Sequence, residues 1–185
     1  MVELSFDRLN ENNKQLVSEA IKQELGECKD LYHGTSSKNA REILATKNFK
    51  IPSKPSGYLG RGIYCYLHDV EACRIYAREH HKTERIAVIS LTADSDNTFF
   101  VFKELYHFFR NLAQKHKEIK LVIDKRIGFI IESFIEKVIM PDYNININTI
   151  GRSYNLNDNR AVTMYSLRNK QMIKTPSLSL YWEGK

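Results

Sequence analysis

The chain has 185 residues, 42% of them hydrophobic and 27% charged, a composition expected of one globular domain with a core of its own. No apolar run approaches the ~18 residues that cross a bilayer, and the opening MVELSFDRLNENNKQ carries acids and asparagines where a secretory leader would carry lysines and an apolar block. The expectation is a cytoplasmic protein without membrane contact, and its net charge of +6 suits an anionic partner such as a dinucleotide or a nucleic acid.

Taken in order, residues 11–25 space Leu16, Val17, Ala20, Ile21 and Leu25 as an amphipathic helix. Gly26 is a plausible stop for it. Residues 1–30 read as a helical cover on the domain. Leu31-Tyr32-His33-Gly34-Thr35-Ser36 has strand character and carries one imidazole out of an apolar run. Its glycine leaves room for a ligand to approach the backbone. A helix over 38–46 follows, with Asn39 and Glu42 at capping-box spacing. Phe49 to Leu59 contains Pro52, Pro55 and Gly57 and reads as a loop beside the site.

Gly60-Arg61-Gly62-Ile63-Tyr64-Cys65 repeats the pattern of the first strand: glycines, then a strand bearing a ring. Asp69 caps a helix to His80 whose stripe includes Val70, Cys73, Tyr76 and Ala77. By periodicity alone Tyr76 is a core residue. His80 and His81 are adjacent, so they do not face one metal, and they read as solvated structural histidines. Cys28, Cys65 and Cys73 show no C-x-x-C spacing and imply neither a disulfide framework nor zinc. Arg85–Leu91 is a buried strand. Residues 99–140 hold two mainly helical segments, the second ended by Pro141. Tyr143–Thr149 alternates isoleucine with asparagine as a half-buried strand. Residues 155–159 form a turn, Arg160–Leu167 a strand, and 171–182 one more short strand. The chain is read as a single domain over 1–185.

The paired stretches His33-Gly34-Thr35 and Gly60-x-Gly62-Ile63-Tyr64 resemble the catalytic core of the ADP-ribosyltransferases, on the poly(ADP-ribose) polymerase-like, His-Tyr branch. The resemblance covers residues 31–92. It implies an α+β fold, an ADP-ribosyltransferase-like split antiparallel β-sheet core with flanking helices. It also implies NAD as co-substrate, with no metal. By the same resemblance His33 grips the adenosine ribose, the Gly34 backbone holds the nicotinamide carboxamide, and Tyr76, allowing one residue in the spacing, stacks on nicotinamide. Thr35, Gly62 and Tyr64 belong to the cofactor site, and Cys73 stands where relatives place a serine.

The chemistry suits those residue types. An imidazole can donate to one ribose hydroxyl and accept from another, and an aromatic face stacks on a charged pyridinium. Polymerising members of the family carry a glutamate at the start of a late strand. Here that strand begins with Arg160 and Ala161 and continues to Thr163, so Arg160 and Thr163 are the residues left in the glutamate's place beside catalytic His33 and Tyr64. Glu132 and Glu136 fall on a helix and are no substitute. The expected function is transfer of one ADP-ribose unit from NAD to a macromolecular acceptor, protein or nucleic acid, in a toxin or defence effector by family analogy. The alternatives are a catalytically inactive NAD-fold module that binds nucleic acid or protein, and an NAD glycohydrolase. The tRNA 2′-phosphotransferases share a Tyr-His-Gly-Thr strand, but their second strand bears a histidine where this chain has Gly-Ile-Tyr-Cys-Tyr.

Overall fold

The computed structural model describes residues 4, 6, 11–21, 26–55, 57–82, 84–156 and 159–184. It is a mixed α/β structure built on one open seven-stranded sheet. The strands are β1 (Glu27–Ser36), β2 (Ile63–Leu67), β3 (Ile86–Asp94), β4 (Thr98–Phe100), β5 (Thr149–Asn155), β6 (Ala161–Leu167) and β7 (Ser179–Gly184). They lie in the order β4-β5-β6-β2-β1-β3-β7, with every neighbouring pair antiparallel except β4 and β5. The helices are α1 (Glu11–Ile21), α2 (Ser37–Thr46), α3 (Val70–His80), α4 (Lys103–Lys115) and α5 (Ile123–Phe134). Beyond Phe134 the last helix runs on through a π-turn, Ile135–Ile139, and a final turn, Met140–Tyr143.

The period of two along the strands sorts side chains onto two faces. On one face Tyr64, Tyr66, Val88, Val162 and Met164 pack with Ala72 and Cys73 of α3 and with α4 and α5. On the other, Ile63, Cys65, Ala87, Ile89 and Leu91 pack with Ala40 and Ile43 of α2. Strands β2 and β3 are buried on both faces, so they read as continuous apolar runs.

Several boundaries differ from the sequence expectation. Glu27–Asp30 belong to β1 and not to a helical cover; residues 22–25 of the expected first helix lie outside the described residues. Helix α2 is capped by Ser36, whose Oγ accepts from the Asn39 N–H at 3.3 Å, in place of an Asn39–Glu42 box. Thr98–Phe100 is a strand, because parallel pairing with β5 overrides the helical pattern that begins at Lys103. Pro141 sits inside the final helical turn, and the helix stops at Asn144 in the left-handed conformation (φ 50°). The π-turn precedes the proline, whose missing N–H would break a regular α-helical ladder. Residues 144–148 are irregular, and the strand begins only at Thr149. Positions 157 and 158 of the expected turn lie outside the described residues, but Leu156 N–H donates to Arg160 C=O at 2.9 Å as a turn requires.

Among the described residues no helix is long and apolar enough to cross a membrane.

Candidate functional site

The sheet opens between β1 and β2. Their pairing registers at Leu31↔Leu67 and Tyr32↔Tyr66. On its other edge β1 pairs with β3 as far as Ser36↔Ile86, and the Ser37 N–H continues that ladder to Arg85 C=O at 2.8 Å. In an antiparallel ladder, backbone groups of alternate residues face alternate neighbours. The odd positions of β1 therefore face β3, and the even ones, Gly34 among them, aim N–H and C=O toward β2. Continued pairing would set Gly34 opposite Tyr64. Instead the His33 ring spans the gap, with Nδ1 2.9 Å from the Tyr64 carbonyl oxygen.

That contact has two chemical consequences. Nδ1 must carry the proton it donates to Tyr64 C=O, so Nε2 is left as an acceptor. Burial pushes the His33 imidazolium pKa below 6.5; the Tyr64 carbonyl acts against this without reversing it, and the nearby His81 adds to the lowering. The ring is therefore neutral at physiological pH and offers one lone pair.

A cavity of about 450 Å³ opens over this split. Of the residues expected to bind the cofactor, His33, Gly34, Thr35, Gly62, Tyr64 and Tyr76 line it together. The side of Gly34 that a Cβ would occupy lies against α3, 2.5 Å from the Cys73 carbonyl oxygen. Any larger residue there would drive β1 and α3 apart. Cys73 packs beneath Gly34, fully buried, and its thiol pKa is pushed up by burial. It supports the glycine from below and does not line the cavity.

Tyr64 has a second role. Its hydroxyl accepts from the Leu59 N–H at 3.0 Å and donates to Gly60 C=O at 3.0 Å, which ties the loop before β2 to the site. Glu132 of α5 holds the same loop from behind. It is buried and accepts from the Arg61 N–H at 2.5 Å and from the guanidinium of Arg168 at 2.5 Å. Gly60 takes φ +82° directly against Glu132, where a side chain would clash. Glu132 is thus fully engaged in structure, as Glu136 is in part through its 2.9 Å pair with Arg61.

Arg160 and Thr163 are not brought to this cavity. Strand β6 runs antiparallel to β2, with Leu167 opposite Ile63 and Thr163 opposite Leu67. Arg160 therefore lies roughly 24 Å along the strand from Leu167, the end that neighbours the split. Its guanidinium pairs with Asp69, the N-cap of α3, at 2.9 Å. Thr163 Oγ1 is 2.7 Å from Ser153 Oγ.

Several residues join the site that the sequence reading left out. Phe49 stands edge-on to the His33 ring at 5.4 Å, and Lys50 on the cavity rim pairs with Glu42 at 2.7 Å. His80 and His81, expected to be merely solvated, line the cavity, and His80 stacks on Tyr76 at 4.1 Å. The i, i+4 spacing of Tyr76 and His80 was the available signal. Tyr76 in turn stacks on Tyr64 at 6.0 Å with 12° between planes, so Tyr64, Tyr76 and His80 form one pile of rings. No group able to hold a metal ion occurs among the described residues.

Comparison of the chain with protein-family models, with curated proteins and with solved structures found no match.

Proposed function

We propose that this chain is an NAD-dependent mono-ADP-ribosyltransferase whose sheet is of the ADP-ribosyltransferase-like split type. The observation that carries the reading is the opening between β1 and β2, where the His33 ring replaces the pairing that Gly34 would make with Tyr64. Gly34 then presents a backbone donor and acceptor on one edge, complementary to a carboxamide. The neutral Nε2 of His33 accepts from a ribose hydroxyl, and the Tyr64–Tyr76 pair offers faces for the nicotinamide ring. Holding both ends of the dinucleotide fixes the bond between nicotinamide and ribose for substitution.

Chain elongation is disfavoured. The residues in place of the family glutamate are tied up, Arg160 by Asp69 and Thr163 by Ser153. The acceptor side must supply its own base, which fits addition of one ADP-ribose unit.

The test is nicotinamide release from labelled NAD, with and without a cell lysate, followed by nuclease or protease treatment of the labelled lysate. Transfer supports the reading, and the sensitivity of the label names the acceptor. Release without transfer makes the chain a glycohydrolase, and no release under either condition makes it a binding module.

A further inference from the structure

A second cavity, of about 330 Å³, adjoins the first across the ring pile, and Tyr64, Tyr76 and His80 line both. Its other walls are Tyr58, Tyr66 and Tyr154, so five tyrosines face it. Burial raises the pKa of Tyr58 and Tyr66, and pushes Tyr76 up to about 12, so these hydroxyls stay protonated and neutral at physiological pH. Glu79, Asp124 and Lys125 stand at the mouth. So do two exposed apolar side chains, Ile75 and Val122, the latter 66% exposed.

Resting on the transferase reading, we infer that this cavity is the acceptor subsite and takes an unpaired nucleobase of a single-stranded nucleic acid. Tyrosine faces bind flat rings by stacking whatever the base. The carboxylates of Glu79 and Asp124 accept from the amino and ring N–H edges that a base presents. Lys125 faces the phosphates, and the +6 net charge of the chain favours a polyanion. Ile75 and Val122 give the neighbouring base an apolar surface. A cationic side chain from a protein is the rival occupant of an aromatic cage, but a cation already stands behind two of these rings. The Arg152 guanidinium, outside the cavity, lies 3.2 Å over the Tyr106 ring and 5.4 and 5.8 Å from the ring centres of Tyr154 and Tyr58. With Glu79 and Asp124 balanced by Lys125 and Arg152, a neutral flat ring is the better fit.

The step balances without another reactant. A nitrogen of the base bonds to the ribose carbon that carries nicotinamide. The bond from that carbon to the nicotinamide nitrogen breaks, and nicotinamide leaves neutral with the electron pair. The proton lost by the base nitrogen passes to Glu79, whose charge already acts on the Tyr76 hydroxyl, and then to water.

The test begins without NAD, by fluorescence anisotropy with labelled homopolymeric DNA strands of each base and a duplex control. Single strands should bind with salt-dependent affinity, and the duplex about tenfold more weakly, since its bases are stacked away. Tyr154→Leu should weaken single-strand binding about tenfold, and Lys125→Glu about threefold. Lys125 is exposed, so that variant tests the subsite even if Tyr154→Leu fails to fold. Equal binding of duplex and single strand, parent-like binding by Lys125→Glu, or label from NAD that goes to lysate protein and resists nuclease would overturn the assignment. Base binding without nicotinamide release from NAD leaves the subsite standing and removes the transferase reading; transfer of label from NAD with no strand binding does the reverse.

Discussion

His33 is held by one hydrogen bond and kept neutral by burial, so its chemistry and its contribution to stability share a cause. Because its folded pKa lies below 6.5, the unfolded chain takes up a proton near pH 6.5 that the fold resists. The stability due to neutral His33 is therefore complete above pH 6.5 and is lost as the pH falls through the lower, folded value. Thermal midpoints measured from pH 8 down to pH 5 should show the advantage of the parent over His33→Gln shrinking in acid. A constant difference would contradict a depressed pKa. In nicotinamide release, His33→Ala should lose about a hundredfold in kcat/KM while folding normally, because the ribose loses its grip and the reacting bond its alignment. Tyr64→Phe separates the two roles of that residue. The ring is retained for stacking, but Leu59 N–H loses its buried acceptor, at a cost of about 1–3 kcal/mol. Calorimetry should find that loss, together with a raised KM for NAD as the loop loosens.

The loop before β2 shows how one element is positioned by two others. Tyr64 holds it from the strand and Glu132 from α5, while Gly128 of α5 lets the helix close onto the Gly57 carbonyl. Removing the carboxylate would leave Arg168 buried without its partner, so Glu132→Ala should cost about 3–5 kcal/mol. A second change, Arg168→Leu, should recover part of that loss in denaturant titration; if the two losses simply add, the buried pair is not what holds the loop. These relations also mark what the sequence could show. The helices from 37 and 70, the buried strand after Arg85 and the two ring-bearing strands were legible because each pattern is local. Cys73 was assigned to the cofactor wall, yet the close approach of α3 to β1 puts it under Gly34, a distance no spacing encodes. Thr98–Phe100 carried helix-compatible residues, and its pairing with a strand some fifty positions later decided it. Tyr143–Thr149 alternated as a strand does, but Tyr143 completes a helical turn, and backbone pairing starts only at Asn148, whose N–H donates to Asn97 C=O at 3.1 Å and whose C=O accepts from Arg168 N–H at 2.8 Å. Glu132 could be seen to lie on a helix; its two arginine partners, 36 and 71 residues away, could not.

At the scale of the molecule, the opening divides the sheet into β7-β3-β1 and β2-β6-β5-β4, joined at Leu31↔Leu67 and Tyr32↔Tyr66. A dinucleotide held by Gly34 on one side and by Tyr64 and Tyr76 on the other would bridge the halves. The rings of Tyr64 and Tyr76 stand 6.0 Å apart between centroids. Near-parallel rings at that separation are an offset stack, so a nicotinamide seated between them must part the rings, moving Tyr76 and with it the His80 ring that stacks on it. Binding is thus coupled to a small movement of α3 against the sheet. With NAD at a hundred times its dissociation constant, linkage gives about 2.7 kcal/mol of stabilisation. For a chain of this length that is a rise in Tm of roughly 5–11 °C. Hydrogen exchange should slow at the same time at the amides bordering the split, from Tyr32 to Gly34 and from Tyr64 to Tyr66, and change little in α4. A rise in Tm with protection confined to another part of the sheet would place the dinucleotide elsewhere, and the absence of both effects would mean that the split binds no NAD.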